Sequence, residues 1–258
     1  MFWVVQENIR NEDHFGKLIE QLDIQKTPYQ LVKVVPFVGD IEPDINPEGL
    51  VFVSGAYSME KLARKKGWVP GYFNQNLEYT NLLRHYGEHM LNSDAKIGTF
   101  DKLIPPSYEF FIRPVKDSKS FSGQVMNLAE FEEWRDKVIA VNEFKDSHMT
   151  LRIDDKILVA PLKEIYVEYR FFVIDGKVIT QSEYKRGNYI KSNARVDQYV
   201  IDFAQKMVEL WQPNRAFDLD IAETNQGLKV LEINAINAAG FYHCDMGKFV
   251  HAINSMAF

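Results

Sequence analysis

The chain has 258 residues, 46% hydrophobic and 26% charged, which is ordinary for a soluble globular protein of one large domain or two to three small lobes. Its net charge of -6 argues against nucleic acid as an obligate partner and leaves room only for a local basic patch, such as Arg113, Lys116 and Lys119. No apolar run is long enough to span a bilayer, and the single cysteine, Cys244, excludes an intrachain disulfide and a cysteine-based zinc cluster, so a reducing cytoplasm is expected.

Residues 2–6 predict a buried strand rather than a signal peptide, because no basic segment and no small-residue cleavage site accompany them. Residues 11–25 predict a helix, with Phe15, Leu18, Ile19 and Leu22 at helical spacing. Strands follow at 29–35 and 50–53, and residues 36–49, rich in Pro, Gly, Asp and Asn, read as loop. Ser58 is placed to cap a helix reaching Lys66. This order suggests a small α/β lobe ending near residue 92. A helix over 78–91 precedes Pro105-Pro106 and a strand over 108–115. Residues 116–122 are polar and aperiodic, and a strand resumes at 123–126. Residues 128–139 are amphipathic, with Leu128, Phe131, Trp134, Arg135 and Val138 on one face.

A strand at 157–162 is interrupted by Pro161. Residues 167–182 read as a hairpin turning at Asp175-Gly176, a type I′ signal. Residues 196–211 predict a helix burying Val196, Tyr199, Val200, Phe203, Met207 and Leu210, and a last helix covers about 245–256. No internal repeat or low-complexity segment is evident. Cys244, beside His243, reads as a packed or helix-start thiol rather than half of a catalytic pair, since adjacent strand residues face opposite ways.

The segment 216–234 is the most informative. It reads as two strands joined by a tight turn at Asn225-Gln226-Gly227. Alternation puts Asp218 and Asp220 on one face of the first strand, and Glu232 and Asn234 on one face of the second. If those faces coincide, hard oxygen donors converge as Mg²⁺ requires, especially a Mg²⁺ also held by phosphates. A solvent-facing edge would more often carry Lys and Thr.

The pattern Asp220-x(11)-Glu232-x-Asn234 on a terminal hairpin resembles the metal-binding end of the ATP-grasp superfamily. That resemblance implies an α+β fold: an N-terminal α/β lobe over 1–92, a small lobe over 93–165 and a C-terminal lobe over 166–258, the last two clamping ATP. Arg113, followed by the Ser/Gly-containing stretch 117–123, looks like the family's phosphate-binding strand and flap, with Lys116 and Ser120 contacting the nucleotide. Residues 158–164 occupy the place of the inter-lobe hinge. With Pro161 lacking an N–H, the Ala160 carbonyl and Leu162 N–H are the implied adenine readers. Glu168 and Arg170 match the family's Glu-x-x strand, and Lys185, with Arg186 as the alternative, matches a phosphate contact.

Arg113, Arg170 and Lys185 together resemble the ATP-grasp clade named for two arginines and a lysine, known from phage and bacterial genomes. The run Asn234 to Tyr242, with Gly240-Phe241-Tyr242, strengthens the match, Gly240 allowing close approach of a substrate or phosphate. In one departure, the position two before the metal Asp, often Arg in these ligases, is Asp218. Either Arg170 or Arg113 supplies that charge, or Asp218 binds a second metal. The resemblance implies an ATP- and Mg²⁺-dependent ligase joining a small-molecule or peptide carboxylate to an amine or thiol through an acyl phosphate. Asp220, Glu232 and Asn234 would hold the metal, and Arg113, Arg170 and Lys185 would act on the transferred phosphoryl group. A small-molecule phosphotransferase and a non-catalytic nucleotide-binding module are the alternatives. A homodimer is one assembly the sequence allows.

Overall fold

The computed structural model of the chain describes residues 1–8, 12–35, 39–116, 120–142 and 151–258. Its strands form three sheets. The first contains β1 (Phe2–Gln6), β2 (Tyr29–Val34), β3 (Ile41–Glu42), β4 (Val51–Ser54) and β5 (Pro70–Gly71), in the order β3-β2-β1-β4-β5. All pairings but the antiparallel one to β3 are parallel. Parallel neighbours need crossovers, here supplied by α1 (Glu12–Ile24) and α2 (Ser58–Lys66). The central strands are covered on both faces, which is why Trp3, Val4, Val5, Phe52 and Val53 form unbroken apolar runs. Helix α3 (Tyr79–Tyr86) and a 3₁₀ turn at Gly87–His89 lead away from this sheet.

The second sheet contains β6 (Lys96–Thr99), β7 (Glu109–Pro114), β8 (Gln124–Asn127) and β9 (Lys156–Pro161), all antiparallel, in the order β6-β9-β7-β8. Helix α4 (Leu128–Asn142) lays Phe131 and Val138 on it. Phe131 meets Phe100 and Phe110 edge-on, with centroids 5.5 and 5.6 Å away. This sheet therefore has a core of its own.

The third sheet contains β10 (Ile165–Ile174), β11 (Lys177–Arg186), β12 (Tyr189–Asn193), β13 (Ala216–Thr224) and β14 (Gly227–Asn234), antiparallel in the order β12-β11-β10-β13-β14. The β10–β11 turn has Asp175 at φ 47° and Gly176 at φ 78°, the two left-handed residues of a type I′ turn. Helix α5 (Gln198–Leu210) packs on this sheet, and α6 (Met246–Asn254), capped by Asp245 accepting from Lys248 N, lies beside α1. The architecture is α+β. No helix among the described residues is long and apolar enough to cross a membrane.

The first and third sheets share a core. Trp3, Phe52, Phe172, Phe241 and Phe249 make one aromatic cluster across them. Asn237, buried after β14, ties the two together with hydrogen bonds. Its Nδ2 donates to the carbonyls of Val53 (2.6 Å) and Gly71 (3.1 Å), and its Oδ1 accepts from Phe73 N (2.7 Å). Its own carbonyl accepts from Gly55 N at 2.8 Å.

Several local expectations need correction. Ser58 is the first helical residue of α2 rather than its cap, and no side chain caps that end. Pro161 ends β9, where a missing N–H costs nothing to the ladder, rather than interrupting it. The buried stripe of α5 is Val200, Ala204, Met207 and Val208, leaving Tyr199 and Leu210 each 52% exposed. The helix is rotated so that small Ala204 meets the sheet, which the larger side chains around it mask in the sequence. Strands β3, β5, β6 and β12 have no counterpart among the expected elements.

Replacing Asn237 with Ala strands three backbone groups. At about 1–3 kcal/mol for each buried group left unpartnered, the loss is expected to reach several kcal/mol. An unchanged urea midpoint for that variant would refute the keystone role.

Candidate functional site

Antiparallel pairing brings the hairpin carboxylates together as rows across the third sheet. Asp220 lies opposite Glu232 on β14 and opposite Arg170 on β10. Asp218 lies opposite Asn234 and Phe172. Directly opposed residues share a face, so Arg170, Asp218, Asp220, Glu232 and Asn234 all point to one side. Two strand faces that the sequence left independent thus coincide.

Arg170 is the centre of that face. Its Nε and Nη2 donate to Asp220 Oδ1 and Oδ2 at 2.9 and 2.7 Å, a bidentate fork. Nε also lies 3.1 Å from Asp218 Oδ2, and Nη1 donates to the Gly240 carbonyl at 3.3 Å. Burial works against the Arg170 charge, but Asp220 and Asp218 outweigh it and raise its pKa. Both aspartates are fully buried. Burial raises Asp218 above the usual carboxylate range despite the pull of Arg170. It pushes Asp220 up to about 7 against the same pull. Asn234 Nδ2 donates to Glu232 Oε1 at 3.1 Å and Asp218 Oδ2 at 3.3 Å. Asp218 Oδ1 is buried with no hydrogen-bond partner among the described residues.

A second group builds on a β-bulge. Glu168 faces Lys185, whereas the next residue, Tyr169, faces Glu183, so Tyr184 is the extra residue of β11. The bulge turns Tyr184 and Lys185 to the same carboxylate. Tyr184 Oη donates to Glu168 Oε2 at 2.7 Å, and Lys185 Nζ to Glu168 Oε1 at 2.6 Å. Arg186 points away and forks onto Glu183 at 2.8 and 2.7 Å. Of the two sequence candidates, Lys185 therefore joins this face. Tyr184 also stacks on Tyr242, centroids 4.8 Å apart, and Arg170 sits 5.6 and 5.5 Å from the two rings. Burial, then Asp220 and Glu168, raise the Tyr184 pKa, so it is a neutral donor. Sequence reasoning misses Tyr184, because a bulge has no signature, and names Tyr242 only as part of a motif.

A cleft of about 440 Å³ opens in front of these groups, between the second and third sheets. Arg113 and Lys116 line it from the end of β7 onward, and Glu168, Tyr184 and Glu232 from the third sheet. Arg113 Nη1 donates to Glu232 Oε2 at 3.2 Å, and its guanidinium lies 5.3 Å from the Tyr79 ring centroid. Phe121, Ser122 and Gly123 form a further wall. A Cβ on Gly123 would come 2.8 Å from the Phe111 ring, so only glycine lets this segment lie so close to β7. Residues 117–119 of the expected flap, with Lys119 of the basic patch, lie outside the described residues.

The remaining candidates lie elsewhere. Ser120 lines a neighbouring cavity with Lys116. Ala160 is buried opposite Phe111, Leu162 is exposed, and neither lines the cleft. A Cβ on Gly240 would meet the Arg170 and Tyr242 side chains at 3.7 Å, an ordinary contact. Cys244 is buried against the shared core, and burial pushes its thiol pKa up.

Among the described residues no three His, Cys, Asp or Glu side chains form a ready metal group. The donor set is mixed: the partly exposed Glu232, the adjacent Asn234 amide, and the two aspartates held by Arg170. Those hard oxygens, one of them an orphaned carboxylate oxygen, fit Mg²⁺ chemistry. Asp220 would join only by releasing part of the Arg170 fork.

Residues 44–253 match the model of an ATP-grasp domain family, the third of the clade named for two arginines and a lysine. The fold is similar to that of D-cycloserine synthetase DcsG, with a TM-score of 0.63 at 11% identity over 98% of both chains. It is similar to ATP-grasp ligase PsnB in complex with a minimal precursor, with a TM-score of 0.57 at 15% identity over 98% of both chains. For D-alanine–D-alanine ligase from Bacillus anthracis the TM-score is 0.58 at 11% identity, over 98% of this chain and 92% of the other. Identities this low speak for the fold alone. No curated protein matches the sequence.

Replacing Arg170 with Ala leaves Asp218 and Asp220 buried without a counter-charge, at an expected cost of about 3–5 kcal/mol in stability. Chemical denaturation of the variant checks this, and a loss below roughly 1 kcal/mol, the worth of an exposed pair, would contradict the buried-cluster reading. Cys244 is expected to resist alkylation at mildly alkaline pH until denaturant is added, and rapid labelling of the native chain would disprove its burial.

Proposed function

The chain belongs to the third ATP-grasp family of the two-arginine, one-lysine clade, and from that premise we propose that it is an ATP- and Mg²⁺-dependent ligase. It would join a small-molecule or peptide carboxylate to an amine or thiol and release ADP and phosphate. The observation that carries this reading is the convergence of Arg113, Lys116, Glu168 and Glu232 from two sheets on one cleft. The names of the similar structures, a synthetase and two ligases, favour the same class.

Arg113 and Lys116, which line the cleft, would bind the ATP phosphates, with Lys185, paired to Glu168, as the third cation. Arg170 would supply a fixed positive charge to the transferred phosphoryl group, its guanidinium flanked by Tyr184 and Tyr242. The substrate carboxylate attacks the γ-phosphorus and the bond to the β-phosphate oxygen breaks, giving an acyl phosphate and ADP. The amine then displaces inorganic phosphate and loses a proton. The wall at 121–123 would help exclude water from that labile mixed anhydride. Glu232, Asn234 and Asp220 would hold Mg²⁺, which supplies charge neutralisation at the phosphates. Ser120 would contact the nucleotide from the phosphate flap, and the Ala160 carbonyl and Leu162 N–H would read the adenine. The lobes would divide near residues 92 and 165, which the strand membership of the three sheets supports.

Calorimetry with a non-hydrolysable ATP analogue tests the site. Binding is expected only with Mg²⁺, and about tenfold weaker for Glu232→Gln, a change of about 1.4 kcal/mol. With ATP, a carboxylic acid and hydroxylamine, a hydroxamate is expected. A stable phosphorylated product with no need of an amine would instead identify a phosphotransferase, nucleotide binding without turnover would identify a non-catalytic nucleotide-binding module, and failure of the folded protein to bind nucleotide would sink the site assignment.

A further inference from the structure

Arg113 reaches the cleft from the second sheet, but the aromatic ring beneath it comes from outside that sheet. Along β7, Phe110 and Ile112 face the second sheet's own core, so Arg113 lies on the opposite face. There its guanidinium sits over the ring of Tyr79, 5.3 Å from the centroid. Tyr79 is the first residue of α3 and is only 1% exposed. Its N–H donates to the Val115 carbonyl at 3.1 Å, two positions beyond Arg113. Leu82 and Tyr86 are buried farther along the same helix. The ring is therefore fixed twice, by a backbone bond to the strand that carries Arg113 and by the core behind α3.

A ring and a carboxylate hold a guanidinium differently. A carboxylate takes up N–H donors, as Glu232 does with Arg113 Nη1 at 3.2 Å. An aromatic face attracts the charge through its quadrupole and consumes no acceptor-seeking donor. It can therefore hold Arg113 while the guanidinium fork meets phosphate oxygens. Burial pushes the Tyr79 phenol up to about 12, so the ring stays uncharged at neutral pH.

A nucleotide would act on the two supports in opposite ways. With Glu232 holding Mg²⁺, the carboxylate would be drawn off Arg113. A nucleotide in the cleft would at the same time exclude water from the Arg113 side chain, which is 22% exposed. Cation–π contacts are worth more once desolvated. The ring's hold would strengthen as that of Glu232 is released, and an affinity measures such a difference between bound and free states.

We propose that Tyr79 is a positioning residue for nucleotide binding: its ring holds the Arg113 guanidinium toward the phosphate oxygens when Glu232 turns to the metal. The inference depends on the nucleotide reading of the cleft, and is independent of whether the later chemistry is that of a ligase.

The test is calorimetric binding of a non-hydrolysable ATP analogue with Mg²⁺ to the full chain. The variants are Tyr79→Phe and a chain with trifluorinated phenylalanine at the same position, each in the native and the Arg113→Gln background, with urea denaturation to verify folding. Fluorine on the ring drains its negative face with little change of volume, so lost packing does not imitate the effect. Tyr79→Phe is expected to bind within about twofold of the native chain, because the ring face and not the hydroxyl meets Arg113. The trifluorinated chain should bind about fivefold more weakly than Tyr79→Phe, the equivalent of about 1 kcal/mol. In the Arg113→Gln background the two should bind alike. Equal affinity with and without fluorine, or the same loss in the Arg113→Gln background, overturns the proposal. Arg113→Gln binding as tightly as the native chain would instead sink the phosphate assignment of Arg113 and the proposal with it, so the two failures are distinguishable.

Discussion

A guanidinium buried in a sheet needs carboxylates around it, and Arg170 has two. The Arg170–Asp220 fork spans directly opposed positions on β10 and β13, and Asp218 adds a second negative charge. A slip of one residue would turn Asp218 and Asp220 to the opposite face and strand Arg170 in the interior. The charge cluster therefore pins the register of the strands that carry the site. It also fixes the loop after β14, because Arg170 donates to Gly240 and lies over Tyr242. One side chain thus couples the acidic hairpin, the bulge tyrosine and the loop after β14.

The distribution of cores sets which parts hold together. The first and third sheets share an aromatic core and the Asn237 bonds, whereas the second sheet packs one face around Phe100, Phe110 and Phe131 and joins the others through buried Leu158 and Ala160. The contacts that reach from the second sheet to the third across the cleft include a partly exposed ion pair, Arg113 with Glu232. Pairs of that kind are worth little when solvated. The geometry favours one platform holding the carboxylates, with the second sheet joined to it through Leu158 and Ala160 and bringing Arg113 and the 121–123 wall to the cleft.

The fold was legible where the sequence is periodic and punctuated. The hairpin at 216–234, the type I′ turn at Asp175-Gly176 and the buried runs of β1 and β4 each carry a turn or an alternation that sequence alone exposes. Strands of two residues, such as Pro70-Gly71, have no period and read as turn. In α5, more than one stripe contains enough apolar residues, and only packing decides that Ala204 faces inward. In the site, the acidic rows and Arg113, Arg170 and Lys185 were readable from spacing and resemblance. Tyr184 was not, because a bulge shifts the alternation by one without any residue to mark it. Asn237 sits inside a recognisable motif, but its role as a tie between sheets depends on carbonyls at Val53 and Gly71, 184 and 166 positions away.

Each of the three named cations of the site holds a carboxylate: Arg113 with Glu232, Arg170 with Asp218 and Asp220, Lys185 with Glu168. Such pairing keeps the desolvated charges compensated before any ligand arrives. It also defines what a ligand must bring. A group carrying anionic oxygens alone would compete with the carboxylates for the cations and leave the carboxylates uncompensated. A group carrying anionic oxygens together with a hard cation would instead exchange partners, oxygens to Arg113 and cation to Glu232, leaving neither of that pair uncompensated. Selectivity for a metal-bound polyphosphate over a bare one then follows from charge pairing rather than from shape.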